Sequence, residues 1–143
     1  MTRITLISDT HNKHKQITQD LPGGALLVHA GDISSMGYQH EIREFCKWFD
    51  SIDNYDHKIF IAGNHDFGFQ DDPNLCKEIV DSYKTIDYLQ DDFMYIGEDY
   101  NDSLIKIYGS PWQPRFHNWA FNADRGEDIM QHWNKIPADV DIL

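Results

Sequence analysis

Short apolar runs, each closed by a polar cluster, punctuate the first half of the chain. Arg3–Ser8 reads Arg-Ile-Thr-Leu-Ile-Ser and ends at Asp9. Ala25–Ala30 reads Ala-Leu-Leu-Val-His-Ala and ends at Gly31-Asp32, and Ile59–Ala62 ends at Gly63-Asn64-His65-Asp66. These runs are largely continuous rather than alternating, which predicts strands covered on both faces, as in a parallel sheet. Between the second and third runs, Ile42, Phe45, Cys46, Phe49 and Ile52 recur at i, i+3, i+4, i+7 and i+10. That spacing predicts a helix over Tyr38–Ile52 with one apolar face. A second helix is expected over Asn74–Tyr83, with Pro73 before it and Leu75, Ile79, Val80 and Tyr83 facing inward. Alternating strands and helices give a layered α/β fold, a β-sheet core flanked by helices.

The pattern changes after Asp87. Phe93–Ile96 and Leu104–Tyr108 read as two strands of a hairpin across the polar turn Glu98-Asp99-Tyr100-Asn101-Asp102. A loop with two prolines and two aromatics follows at 109–116, and Glu127–Lys135 reads as a short helix with Ile129, Met130 and Trp133 apolar. Val140–Leu143 resembles the start of another strand. Either the chain ends on a short edge strand, or the domain continues past Leu143 or in another polypeptide. Residues 1–143 are thus expected to form one domain, or the N-terminal part of one.

Composition narrows the class. The 143 residues are 41% hydrophobic and 25% charged, an ordinary globular balance. No apolar run reaches the roughly 20 residues that span a bilayer, and the N-terminus enters a strand pattern without a signal-peptide layout. Cys46 and Cys76 form no CxxC pair and are expected as reduced, packed thiols. These features point to the cytoplasm. A net charge of −12, from 24 acidic and 12 basic residues, argues against broad nucleic-acid binding or an anionic membrane surface.

The chemistry lies in the clusters that close the strands. In an open parallel sheet, ligands bind beyond the carboxyl ends of the strands. Asp9 and His11 are two apart, so a turning segment can present both to one side. Asp32 carries two carboxylate oxygens able to bridge two ions, and Asn64 offers a neutral amide oxygen. His65 is expected to point away from Asn64, toward substrate rather than metal. Carboxylate and imidazole together suit Mn, Fe or Zn better than Ca²⁺. His29 is expected as a buried core histidine, His14 as a surface residue rather than a pocket one, and His40 and His57 as solvated. Trp112, Phe116, Trp119 and Phe121 are expected to pack, with a wall against the organic part of a substrate as the functional alternative. Arg115 reads as a surface cation rather than a phosphate contact.

Asp9-x-His11, Gly31-Asp32 and Gly63-Asn64-His65-Asp66, in that order, resemble the first three blocks of the calcineurin-like metallophosphoesterase superfamily, over nearly the whole chain. Ser8-Asp9-Thr10-His11, His29-Ala30-Gly31-Asp32, Gly109-Ser110-Pro111-Trp112 and Ala120-Phe121-Asn122 are similar to its metallophosphoesterase-domain-containing branch, whose members are reported as phosphodiesterases. The resemblance implies a cofactor of two divalent metals. Asp9 and His11 would bind the first, Asp32 both, and Asn64 the second, while His65 would contact the phosphate and assist the leaving oxygen. A metal-bridging hydroxide would attack phosphorus in line. The implied substrate is a phosphoester small molecule or nucleotide.

Two departures bear on that expectation. Many members carry an acid three residues after the Asp of Gly-Asp, where it orients the catalytic histidine; here the position is Ser35. Another carboxylate, with Asp66 the candidate, would then support His65, or its basicity is less tuned. The later Thr-His and Gly-His-x-His blocks are absent, since His117 and His132 are the only histidines after His65 and neither sits in such a context. An incompetent scaffold, a weak metal binder and one half of a split enzyme therefore stand as alternatives to a phosphodiesterase.

Overall fold

The computed structural model describes residues 3–97 and 104–143. The turn expected at 98–102 lies outside the described residues. Four strands form one parallel sheet in sequence order: β1 (Ile4–Ile7), β2 (Gly24–Ala30), β3 (Tyr55–Ile61) and the two-residue β4 (Asp87–Tyr88). In register, Leu6 lies beside Val28, Val28 beside Ile59, and Phe60 beside Tyr88. The carboxyl ends of β1, β2 and β3 are therefore neighbours, and the three polar clusters emerge side by side.

Helix α1 (Gln39–Asp50) buries the whole predicted face: Ile42, Phe45, Cys46 and Phe49 are fully enclosed, and Ile52 follows just beyond. Phe45 anchors that side of the sheet, stacked on Phe49 at 5.1 Å and edge-on to Phe60 at 5.2 Å. The α1 carbonyl end is closed by a buried cation. Lys58 Nζ donates to Asp50 O (2.8 Å) and Ile52 O (2.5 Å), placing positive charge where the helix dipole is negative.

A short helix α2 (Phe67–Asp71) was not legible in the hydrophobic pattern. Helix α3 (Pro73–Asp81) begins at the proline itself, with Asp72 accepting from Leu75 N at 3.3 Å. Its buried face is Cys76, Ile79 and Val80, while Leu75 and Tyr83 are only half-buried. Both thiols are free and buried. The sheet's other face is covered by the antiparallel pair β5 (Asp92–Ile96) and β6 (Ile105–Gly109), where Ile96 and Ile107 meet Leu26, Ile59 and Leu89. The nascent strand at the end is a single parallel bridge, Ile142 beside Ile107. A two-residue pair, β7 (Gln113–Pro114) with β8 (Asn122–Ala123), then leads to α4 (Glu127–Trp133). Of its three apolar residues only Ile129 is buried. Among the described residues, no helix is long and apolar enough to cross a membrane.

Candidate metal centre

The backbone zips the first loop to the second beyond the strand ends. Asp9 N donates to Gly31 O (3.0 Å), His11 N to Asp32 O (3.1 Å) and Asn12 N to Ile33 O (3.2 Å). Asp9, His11 and Asp32 all have left-handed backbone, with φ of 54°, 40° and 55°. Non-glycine residues adopt that region at a cost of about 1–3 kcal/mol, and such strain gathers at functional sites. The two motif glycines have a steric cause. A Cβ on Gly31, at φ 98°, would meet Gly63, and a Cβ on Gly63 would overlap the Asp32 carboxylate. Only glycine lets the second and third loops approach this closely.

The result is a cluster of His11, Asp32 and His65, whose ligand atoms all lie within 4.8 Å of one another. His11 Nε2 stands 3.8 Å from Asp32 Oδ2, and Asp32 Oδ1 accepts from the backbone N of His65 at 2.9 Å. Each imidazole is oriented by a main-chain carbonyl: His11 Nδ1 donates to Ser34 O and His65 Nδ1 to Ser35 O, both at 3.0 Å. A carbonyl can only accept, so the proton sits on Nδ1 and each Nε2 presents its lone pair. That is the state a metal-ligating histidine needs, with its outer nitrogen held by an oxygen partner. Two imidazoles and a carboxylate fit a first-row divalent cation such as Mn²⁺, Fe²⁺ or Zn²⁺.

The expected site residues do not all converge. His65 sits with His11 and Asp32. Asp9 is exposed and lies outside that group of three. Asn64 is half-buried in the third loop, and its carbonyl accepts from Ala120 N at 3.0 Å.

Asp66 does not support His65. It is fully buried, accepts from Gly63 N (2.7 Å), Ile33 N (3.1 Å), Ser34 N (2.9 Å) and Ser34 Oγ (2.5 Å), and so staples the third loop to the second. Burial pushes its carboxyl above the usual range, against the pull of those donors. His29 is buried as expected, with Nε2 2.9 Å from Thr10 Oγ1, beneath the first loop. His14 is not on the surface: it is only 2% exposed, tilted against Trp48 at 4.8 Å, and both ring nitrogens lack partners. It opens a 3-10 turn (His14–Asp20) that the pattern did not reveal. Desolvation lowers His14 to about 4 and His29 to about 3, so both are neutral at ordinary pH. His40 is exposed, whereas His57 is half-buried on β3.

The aromatic cluster divides. Phe121 is fully buried with Trp112 edge-on at 5.5 Å, and Trp112 stacks on His132 at 3.5 Å. Trp119 instead lies 5.3 Å from the His65 ring, with Phe116 edge-on to it at 5.3 Å. The Ala120–Asn64 bond and Phe121 N to Gln70 Oε1 (2.5 Å) draw this segment over the third loop. Arg115 is exposed and paired with Asp124.

The calcineurin-like phosphoesterase family profile matches residues 2–143. Metallophosphoesterase domain-containing protein 1 of Homo sapiens is 35% identical over 156 residues, spanning 99% of this chain and 47% of that protein. A UPF0046 protein of Caenorhabditis elegans is 33% identical over 147 residues, spanning 99% of this chain and 52% of its own. The chain thus spans about half the length of the curated relatives it matches. Among solved structures, TT1561 of Thermus thermophilus superposes with a TM-score of 0.60 at 10% identity, over 83% of this chain and 56% of that one. At that identity the likeness is one of fold.

Proposed function

The chain belongs to the calcineurin-like phosphoesterase family, and from that premise we propose that the loops after β1, β2 and β3 build a dimetal centre for phosphodiester hydrolysis. The observation that carries this reading is the convergence of His11, Asp32 and His65 with both Nε2 lone pairs free. Asp9, His11 and Asp32 would hold a first metal, and Asp32 with Asn64 a second. Bound cations supply charge that activates water and offsets the charge developing on phosphorus.

The chain's own residues do the rest. Ser34 O and Ser35 O hold the imidazoles by Nδ1–H, so a second proton taken up by His65 sits on Nε2, from where it is delivered to the leaving oxygen as the ester bond breaks. Trp119 and Phe116 form a shelf beside His65 for the organic part of a small phosphodiester or nucleotide. The formal charge of −12 repels long polyanions and favours a small substrate. Cytoplasmic residence agrees with the buried free thiols Cys46 and Cys76.

A second reading is a chain that holds one cation without turnover. It is favoured by the three gathered donors, which suffice for one ion. Metal counting by mass spectrometry, with hydrolysis of bis-p-nitrophenyl phosphate in Mn²⁺, separates the two. Two metals per chain, and turnover abolished by Asp32→Asn and His65→Ala, are expected. One metal and no turnover would establish the second reading instead.

A further inference from the structure

Ser35 occupies the position where a carboxylate would face the histidine directly, and yet a carboxylate stands behind that loop. Glu41, in the first turn of α1, is only 8% exposed. Its Oε1 accepts from Asn12 Nδ2 (2.6 Å) and Ser35 N (3.4 Å), and its Oε2 from Met36 N (3.2 Å) and Tyr38 N (2.9 Å).

Two of those donors belong to special peptides. The Ser34 carbonyl and the Ser35 N–H are opposite ends of one planar unit, as are the Ser35 carbonyl and the Met36 N–H. The first carbonyl holds His11 and the second holds His65. Each Glu41 oxygen is therefore linked through a single rigid peptide to one imidazole of the site.

We propose that Glu41 is a positioning residue that acts on both His11 and His65 through the Ser34–Ser35 and Ser35–Met36 peptides. An anion at the N–H end polarises each peptide and strengthens its carbonyl as an acceptor. That holds the Nδ1–H tautomer and keeps Nε2 aimed into the cluster. The link to Asn12, next to His11, ties the first loop to the same carboxylate. Burial opposes the charge on Glu41, but the bonds from Asn12, Tyr38, Met36 and Ser35 outweigh it and hold its carboxyl below the usual range.

The inference concerns the site proposed above, but its test uses the metal-free chain, so a failure of phosphodiester turnover does not touch it. Nitrogen-15 NMR of the imidazoles reads the tautomers. The native chain is expected to show Nδ1–H on both His11 and His65; its absence at either residue overturns the proposal with no variant needed. In Glu41→Gln, one accepting oxygen becomes a donating amide NH2 that faces a peptide N–H. At least one of the two Nδ1–H resonances is then lost in favour of a tautomer mixture. Val80→Ala, a core truncation in α3 that removes no hydrogen bond of the site, is expected to lower the unfolding midpoint while leaving both resonances in place. A folded Glu41→Gln chain that keeps both Nδ1–H signals, or a Val80→Ala chain that loses them, would show that Glu41 serves stability alone.

Discussion

Replacing Asp66 by asparagine tests whether the loops are held together by this one buried carboxylate. The side chain accepts four bonds, two on each oxygen, and is sealed from solvent. An asparagine has one acceptor oxygen and one donor amide. With its oxygen toward Ile33 N and Gly63 N, its amide faces Ser34, whose hydroxyl can turn to accept while the Ser34 N–H is left unpaired. The opposite orientation strands two backbone N–H groups. A buried unpaired donor costs about 1–3 kcal/mol, so the better orientation sets the loss at about 2 kcal/mol. With a urea slope of roughly 2 kcal/mol per molar, the midpoint falls by about 1 M. Urea unfolding followed by tryptophan fluorescence is the assay. Mn²⁺ titration of the folded variant should also weaken, because Asp32 follows Gly31 in the loop that Asp66 holds. A midpoint within about 0.2 M of the parent, with Mn²⁺ binding intact, would refute the stapling role.

Three further outcomes are expected. His14 and His29 are held below the ordinary imidazole value of 6.5, at about 4 and about 3, so the unfolded chain takes up protons first as pH falls. Stability should drop by about 4 kcal/mol from both together between pH 6.5 and 4.5, the slope approaching about 1.4 kcal/mol per unit for each, and His14→Leu should remove about half of that slope in denaturant titrations. Gly63→Ala places a methyl on the Asp32 carboxylate; calorimetry should show a loss of Mn²⁺ binding and scanning calorimetry a cost of about 1–3 kcal/mol. Trp119→Ala removes the shelf beside His65; KM for an aryl phosphodiester should rise about fivefold, equivalent to about 1 kcal/mol of stacking, with little change in kcat. An unchanged KM would mean the organic group rests elsewhere.

The periodicity of residues 42–52 and the three strand-closing clusters sufficed to place α1, the first three parallel strands and the edge of the sheet where chemistry gathers. Those signals are local: a helical face or an apolar run is written in neighbouring residues. The short elements escaped. Helix α2, strand β4 and the turn at His14 are too brief to show a period, and their positions depend on what they pack against. His14 illustrates the failure best. A histidine among lysine, glutamine and asparagine reads as surface, and only Phe45 and Trp48 arriving from α1 enclose it.

For the site, residue types and their order along the chain pointed to Asp9, His11, Asp32, Asn64 and His65 as candidates, and the structure gathers His11, Asp32 and His65. Which of them meet was decided by tertiary structure. His11, Asp32 and His65 converge because Gly31 and Gly63 let two loops touch, while Asp9 remains at the exposed lip. The supports were out of reach of sequence for the same reason. Asp66 bonds to residues 32 and 33 positions earlier, Glu41 reaches Asn12 across 29, and the histidines lean on main-chain carbonyls that carry no residue signature. Side-chain chemistry is a property of the one-dimensional string. The direction in which an imidazole points is set by hydrogen bonds between distant segments, and those exist only once the chain has folded.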